Sequence, residues 1–119
     1  MTLSAADKAA ARALRVSALM ESGGVRFEGA CWGDPHTTFY LSRIPTTQAE
    51  AGAVIGKGFN RNGDFTVKGL WHTERAVELT VTNSAGGWLM KLRWDASQRA
   101  LVGSAQANAG EVRFNQMDA

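Results

Sequence analysis

Cys31, Asp34 and His36 lie within six residues of one another, and His72 closes a separate apolar run further along. A thiolate, a carboxylate and two imidazoles are groups that ligate zinc or activate a nucleophile. Their spacing matches no strong metal signature, and a lone cysteine at an inward strand position packs more often than it reacts. These four are therefore the candidate catalytic residues, with no metal and no cofactor expected. Other catalytic patterns are missing: the chain has no phosphate-cradling loop with its lysine, no Gly-x-Ser-x-Gly elbow and no His-Glu-x-x-His. Asp34, Asp64, Glu74 and Asp95 all sit at predicted turns, where aspartate caps backbone amides and glutamate is solvated.

A second constellation is aromatic. Phe65, Val67 and Trp71 fall on alternate positions, as do Val77, Leu79 and Val81, and then Trp88, Met90, Leu92 and Trp94. A period of two is that of a strand with one buried face. The links 72–75 and 83–87 are long enough only for antiparallel hairpins, since a parallel crossover needs about a dozen residues. Pairing Val81 with Trp88, Leu79 with Met90 and Val77 with Leu92 puts every large apolar side chain of both strands on one face. The preceding strand joins by setting Val67 against Val81, Gly69 against Leu79 and Trp71 against Val77. A slip of one residue would turn a whole set to water. The same register places Glu78 beside Lys91 on the wet face, with Lys68 in reach.

Phe65, Trp71, Trp88, Met90, Trp94 and Phe114 thus form a candidate ligand-binding face, opposed by the small Gly103 and Ala105. Large against small either fills a small barrel with indoles or leaves an aromatic cavity for a flat or aliphatic ligand. No convergent set of polar side chains is evident on that face to orient a ligand.

The remaining elements follow in order. Ser4 and Asp7 make a capping pattern ahead of an alanine-rich run to Glu21, closed by glycines, which predicts a helix within residues 1–24. Val25 to Trp32 alternate as a first strand, Gly33, Asp34 and Pro35 turn the chain, and a second strand runs from Thr37 to Ile44. A third ends near Asn60. Asn62-Gly63 is the strongest hairpin signal in the chain, with two registers open: one opposes Lys57 to Lys68, and the preferred one pairs Phe59 with Phe65 and turns Lys57 inward. Gly56, Gly58 and Gly69 are expected to allow a sharp bend or bulge. After Trp94, Leu101, Gly103 and Ala105 continue the inner face, and Val112 and Phe114 complete eight strands.

An N-terminal helix followed by an eight-stranded antiparallel up-and-down meander predicts a mainly β domain, either a closed barrel or a strongly curved sheet. At 119 residues the chain suits one domain, with the meander over 25–116. Over those residues the pattern resembles the calycin group of small barrels, which includes lipocalins and avidins. Lipocalins carry a Gly-x-Trp on their first strand; here Gly69-Leu70-Trp71 and Gly86-Gly87-Trp88 have that spelling on the middle strands. The resemblance implies an architecture and no functional residue.

Composition bounds the partners. Thirteen basic against eleven acidic side chains leave a formal charge of +2, too little to demand nucleic acid. Trp32 and Tyr40, expected to be exposed near Arg26 and Arg43, would stack on a base or sugar, but with few charges to assist them. The helix side bearing Lys8, Arg12 and Arg15 reads as a solvated face that could also touch an anionic surface. A single cysteine excludes an internal disulfide, no segment approaches membrane-spanning length, and no signal-peptide core opens the chain, so a cytoplasmic location is expected unless a leader was removed. The leading functional expectation is a binding barrel for a small apolar or aromatic molecule. The alternatives are a protein-interaction module, as a homo-oligomer using its helix and the outer Leu70, Leu89 and Val102, and a small lyase or isomerase using Cys31, His36 or His72.

Overall fold

The computed structural model describes residues 4–8, 10, 11, 14, 24–42, 52–72 and 76–117. Strands β1 (Val25–Cys31), β2 (Asp34–Leu41), β3 (Gly52–Asn60), β4 (Gly63–Trp71), β5 (Ala76–Asn83), β6 (Gly86–Asp95), β7 (Ala100–Ala105) and β8 (Val112–Met117) pair in sequence order. The ladder from β8 back to β1, with Phe27 opposite Gln116, closes them into a barrel. Closure removes the open edge on which a meander would otherwise aggregate. At the N-terminus, Ser4 and Asp7 exchange side-chain to backbone bonds, Asp7 N–H donating to Ser4 Oγ at 3.1 Å. They open a short helix at residues 5–8, whose side chains are exposed; residues 10, 11 and 14 are also helical and exposed. The rest of the helix expected to reach Glu21 lies outside the described residues.

The central registers are those expected. Val81 opposes Trp88, Leu79 opposes Met90 and Val77 opposes Leu92, and Trp71, Gly69 and Val67 pair with Val77, Leu79 and Val81. On the outer side Glu78 stands opposite Lys91. The His72 imidazole also stands beside Glu78, with Nε2 3.6 Å from Oε2.

Three expectations are corrected. β2 begins at Asp34, not Thr37. The turn is only Trp32-Gly33, and the register shift between Gly29 and Cys31 lets Pro35 stand in the strand without breaking a regular ladder. The β3–β4 hairpin follows neither expected register: Asn60 pairs with Gly63, Gly58 with Phe65 and Lys57 with Thr66. Lys57 is therefore exposed on the outer face. Tyr40, finally, is buried at 8 % exposure, with the backbone of Gly24 set close against its ring.

The inner face is filled by rings in contact. Trp71 meets Trp94 edge to face at 6.5 Å between centroids, Trp94 meets Phe27 at 6.1 Å, Phe27 stacks on Phe39 at 5.5 Å, and Phe39 meets Phe114 at 4.9 Å. Aliphatic side chains, among them Leu79, Val81, Met90 and Leu101, complete the same core. Inward glycines let neighbouring backbones close in around it. A Cβ at Gly69 would stand 2.0 Å from the Glu78 carbonyl oxygen, and one at Gly58 would run into the Phe65 ring and the Thr38 carbonyl. Both positions keep unbroken ladders, so they admit close approach and bending without a bulge.

Two substitutions test this packing by urea unfolding. Leu79→Ala, at a site with no exposure, is expected to cost about 2–5 kcal/mol. Ile55→Ala, at a side chain 60 % exposed, is expected to change stability by less than about 0.5 kcal/mol. Equal losses at the two sites would contradict the inward orientation of β5.

Candidate functional site

An up-and-down barrel gathers alternate turns at each end. One end carries Trp32-Gly33, the β3–β4 and β5–β6 turns, and the link from β7 to β8. The other carries His72 and the turn after Asp95. At the first end an open pocket of about 110 Å³ is lined by Trp32, Asn60, Asn62, Phe65, Val81, Asn83 and Trp88. Its floor is apolar, from Phe65 and Val81. Trp32 and Trp88, both half-buried, face each other across 6.3 Å at a tilt of 52°.

Trp32 is anchored rather than adventitious. It takes a left-handed backbone with φ of 49°, a conformation that non-glycine residues seldom adopt. Its backbone N–H donates to Asn108 Oδ1 at 2.9 Å, and its indole N–H donates to the Gln106 carbonyl at 2.9 Å. Gln106 is itself tied to β6, its side-chain oxygen accepting from Leu89 N–H at 3.1 Å. The turn between β1 and β2 is thus pinned to the link between β7 and β8.

The asparagines come from two turns built alike. Asn60 Oδ1 accepts from Asn62 N–H at 2.8 Å, and Asn83 Oδ1 accepts from Ala85 N–H at 2.8 Å. Strand alternation places both asparagines on the inner side, at the rim. Sequence reasoning looked for polar groups along the strand centres and missed these. The available signal was a repeated pattern, Asn60-x-x-Gly63-x-Phe65 and Asn83-x-x-Gly86-x-Trp88, which sets an amide and a ring at matching positions of adjacent hairpins.

Of the six residues expected to line a ligand chamber, Phe65 and Trp88 reach this pocket. Trp71, Met90, Trp94 and Phe114 belong to the packed interior, with exposures of 1 %, 1 %, 8 % and 0 %.

The candidate catalytic residues are not brought together as a set. Cys31 is buried in the core cluster. Desolvation pushes its thiol up from 9.0 to about 12, against a weaker opposite pull from a hydrogen bond with the Trp32 backbone, so it is held as the unreactive thiol. Asp34 acts as a structural cap: Oδ1 accepts from His36 N–H at 2.8 Å and Oδ2 accepts from Arg61 N–H at 2.7 Å. His36 is exposed, with Nδ1 3.9 Å from Glu28 Oε1. His72 stands at the opposite end of the barrel. Among the described residues, no three His, Cys, Asp or Glu side chains converge as metal ligands.

The thiol carries a pH signature. A folded-state pKa above the unfolded one contributes stability below about pH 9, and that contribution is lost as the pH climbs toward about 12. Cys31→Ala should flatten this part of the stability profile. Iodoacetamide near pH 8 should leave Cys31 unmodified in the folded protein and alkylate it fully in concentrated urea; rapid alkylation of the folded protein would show that the thiol is accessible. No protein-family model, curated protein or solved structure matches this chain, so the geometry of the barrel mouth carries the functional reading by itself.

Proposed function

We propose that this protein is a binding barrel that takes a small, single-ring molecule in its mouth, against Trp32, Trp88 and Phe65. The observation that supports it is the open aromatic pocket above a filled interior. An apolar floor, two half-buried indoles and a few amides make the mixed lining typical of small-ligand sites. The size of the pocket limits the occupant. Drug-sized ligands occupy about 300–1,000 Å³, whereas a cavity of about 150 Å³ admits benzene. An open pocket of about 110 Å³ therefore suits one ring seated between the indoles with an edge in water. This keeps the apolar or aromatic ligand expected from the aromatic face and moves it from the interior to the rim.

Catalysis has weaker support, because the Cys31 thiol is buried and protonated and His36 and His72 lie toward opposite ends. Self-association through the outer wall would use Leu70 and Leu89, exposed at 47 % and 38 %, with the half-buried Val102, and Ile55 at 60 % beside Leu70. These few side chains, spread over β3, β4, β6 and β7, fall well short of the roughly 800 Å² per partner that a standard interface buries.

Titration with phenol, followed by tryptophan fluorescence and by the indole N–H resonances, tests the mouth. A probe of this size is expected to bind with a Kd on the order of 0.1–1 mM and to move the Trp32 and Trp88 signals more than those of Trp71 and Trp94. Trp88→Leu should weaken binding about ten-fold or more while leaving the fold intact. Perturbation centred on Trp71 and Trp94 would place the site inside the barrel instead, and no perturbation would refute the reading.

A further inference from the structure

The two rim asparagines allow the occupant's polar edge to be specified, given that the mouth is the site. A primary amide offers one oxygen acceptor and two N–H donors. In both Asn60 and Asn83 the oxygen is held by the backbone N–H two residues on. That bond also determines which arm of the amide is oxygen, because only the oxygen can accept it. The amide nitrogen is then the arm turned away from the turn, and neither nitrogen donates to another protein group among the described residues. Asn60 is only 8 % exposed as a residue, which leaves its amide nitrogen as the part of the side chain that reaches the pocket.

Among the other lining side chains, Asn62 alone carries an acceptor, its amide oxygen. Phe65, Val81 and Trp88 are apolar at the pocket, apart from the Trp88 indole N–H, which is itself a donor. The Trp32 indole N–H is engaged by Gln106. Asn62 is exposed at the tip of its turn, and its amide carries both donors and an acceptor. At the same rim the Arg61 guanidinium lies over Gly33, with Nη2 3.0 Å from where a Cβ would stand. Arginine also only donates. Apart from Asn62 and the Asp34 carboxylate, whose oxygens are occupied by the His36 and Arg61 amides, the polar side chains named at the mouth are donors.

We infer that the mouth selects rings whose polar edge carries hydrogen-bond acceptors, a carbonyl or a carboxylate, which the amide nitrogens of Asn60 and Asn83 receive while Trp32, Trp88 and Phe65 hold the ring. The duplicated turn gives this selectivity a structural origin. Gly63 and Gly86 have φ of 121° and 147°, so the two turns share the left-handed glycine that lets each asparagine curl back on its own hairpin. Each turn then repeats one unit: an amide locked through its oxygen, and a ring two positions beyond the glycine.

Three single-ring probes separate the possibilities: acetophenone, a neutral acceptor; benzoate, an anionic acceptor; and benzylamine, a cationic donor. Acetophenone and benzoate are expected to bind about ten-fold more tightly than benzylamine, the difference one well-made hydrogen bond provides. Binding of benzoate well above acetophenone would identify the acceptor as a carboxylate assisted by Arg61; equal binding would identify a carbonyl. The double variant Asn60→Asp with Asn83→Asp keeps an oxygen to accept each turn N–H and removes both amide donors. It should retain the thermal midpoint within a few degrees, lose acetophenone binding about ten-fold and gain benzylamine. Acetophenone carries no charge, so its loss would not be simple repulsion. Equal binding of all three probes by the wild type, or acetophenone binding unchanged in the double variant, would overturn acceptor selection while leaving the mouth as the site. No response of Trp32 or Trp88 to any probe would overturn both.

Discussion

The run of rings from Trp71 through Trp94, Phe27 and Phe39 to Phe114 is the contact on which the rest of the molecule depends. These five side chains come from five different strands, so their mutual packing is what draws the meander around on itself until β8 meets β1. Aromatic pairs favour edge-to-face or offset-stacked geometries, and three of these contacts are edge to face while Phe27 stacks on Phe39. The interior they share is packed with these rings and the aliphatic side chains around them. The open pocket lies at the end of the barrel where Trp32 and Trp88 remain half-buried.

Small residues carry the other half of this constraint. A barrel of eight strands leaves an interior just wide enough for side chains, and five rings take up most of it. Several inward positions are accordingly glycine or alanine: Gly56 and Gly58 on β3, Gly69 on β4, Gly103 and Ala105 on β7. At Gly58 the exchange is visible directly, since the Phe65 ring occupies the space a Cβ would need. Bulk on one strand requires its absence on the next.

The polar contacts act at the ends rather than along the walls. Asp34, Asn60, Asn83 and Asp95 each accept a backbone N–H two residues on, closing turns without any cross-strand bond. Two contacts reach further and tie one turn to another: Asp34 to the Arg61 amide, and Trp32 to Asn108 and Gln106. They shape the rim. A binding site built there has rigid hairpins beneath it and side chains anchored by their own turns, which is the kind of support a precise site requires.

Much of the wall was legible from residue order, because period-two alternation and short links act locally: Val77, Leu79 and Val81 could face Trp88, Met90 and Leu92 in only one way without putting a strand's bulk in water. The β3–β4 turn was not legible in the same way. Its register depends on the Asp34 carboxylate, which holds the Arg61 amide from 27 residues away, and on Asn60 rather than Asn62 closing the turn. Tyr40 is likewise buried at a position that alternation turns outward, with Gly24, outside any strand, close to its ring. The mouth was the least legible part. Trp32 and Trp88 are distant in sequence, and only closure of the barrel sets their rings 6.3 Å apart. Composition and alternation decided that eight strands would share a dry face; which aromatics that face would absorb, and which it would leave at the rim, was decided by how much volume the closed interior could hold.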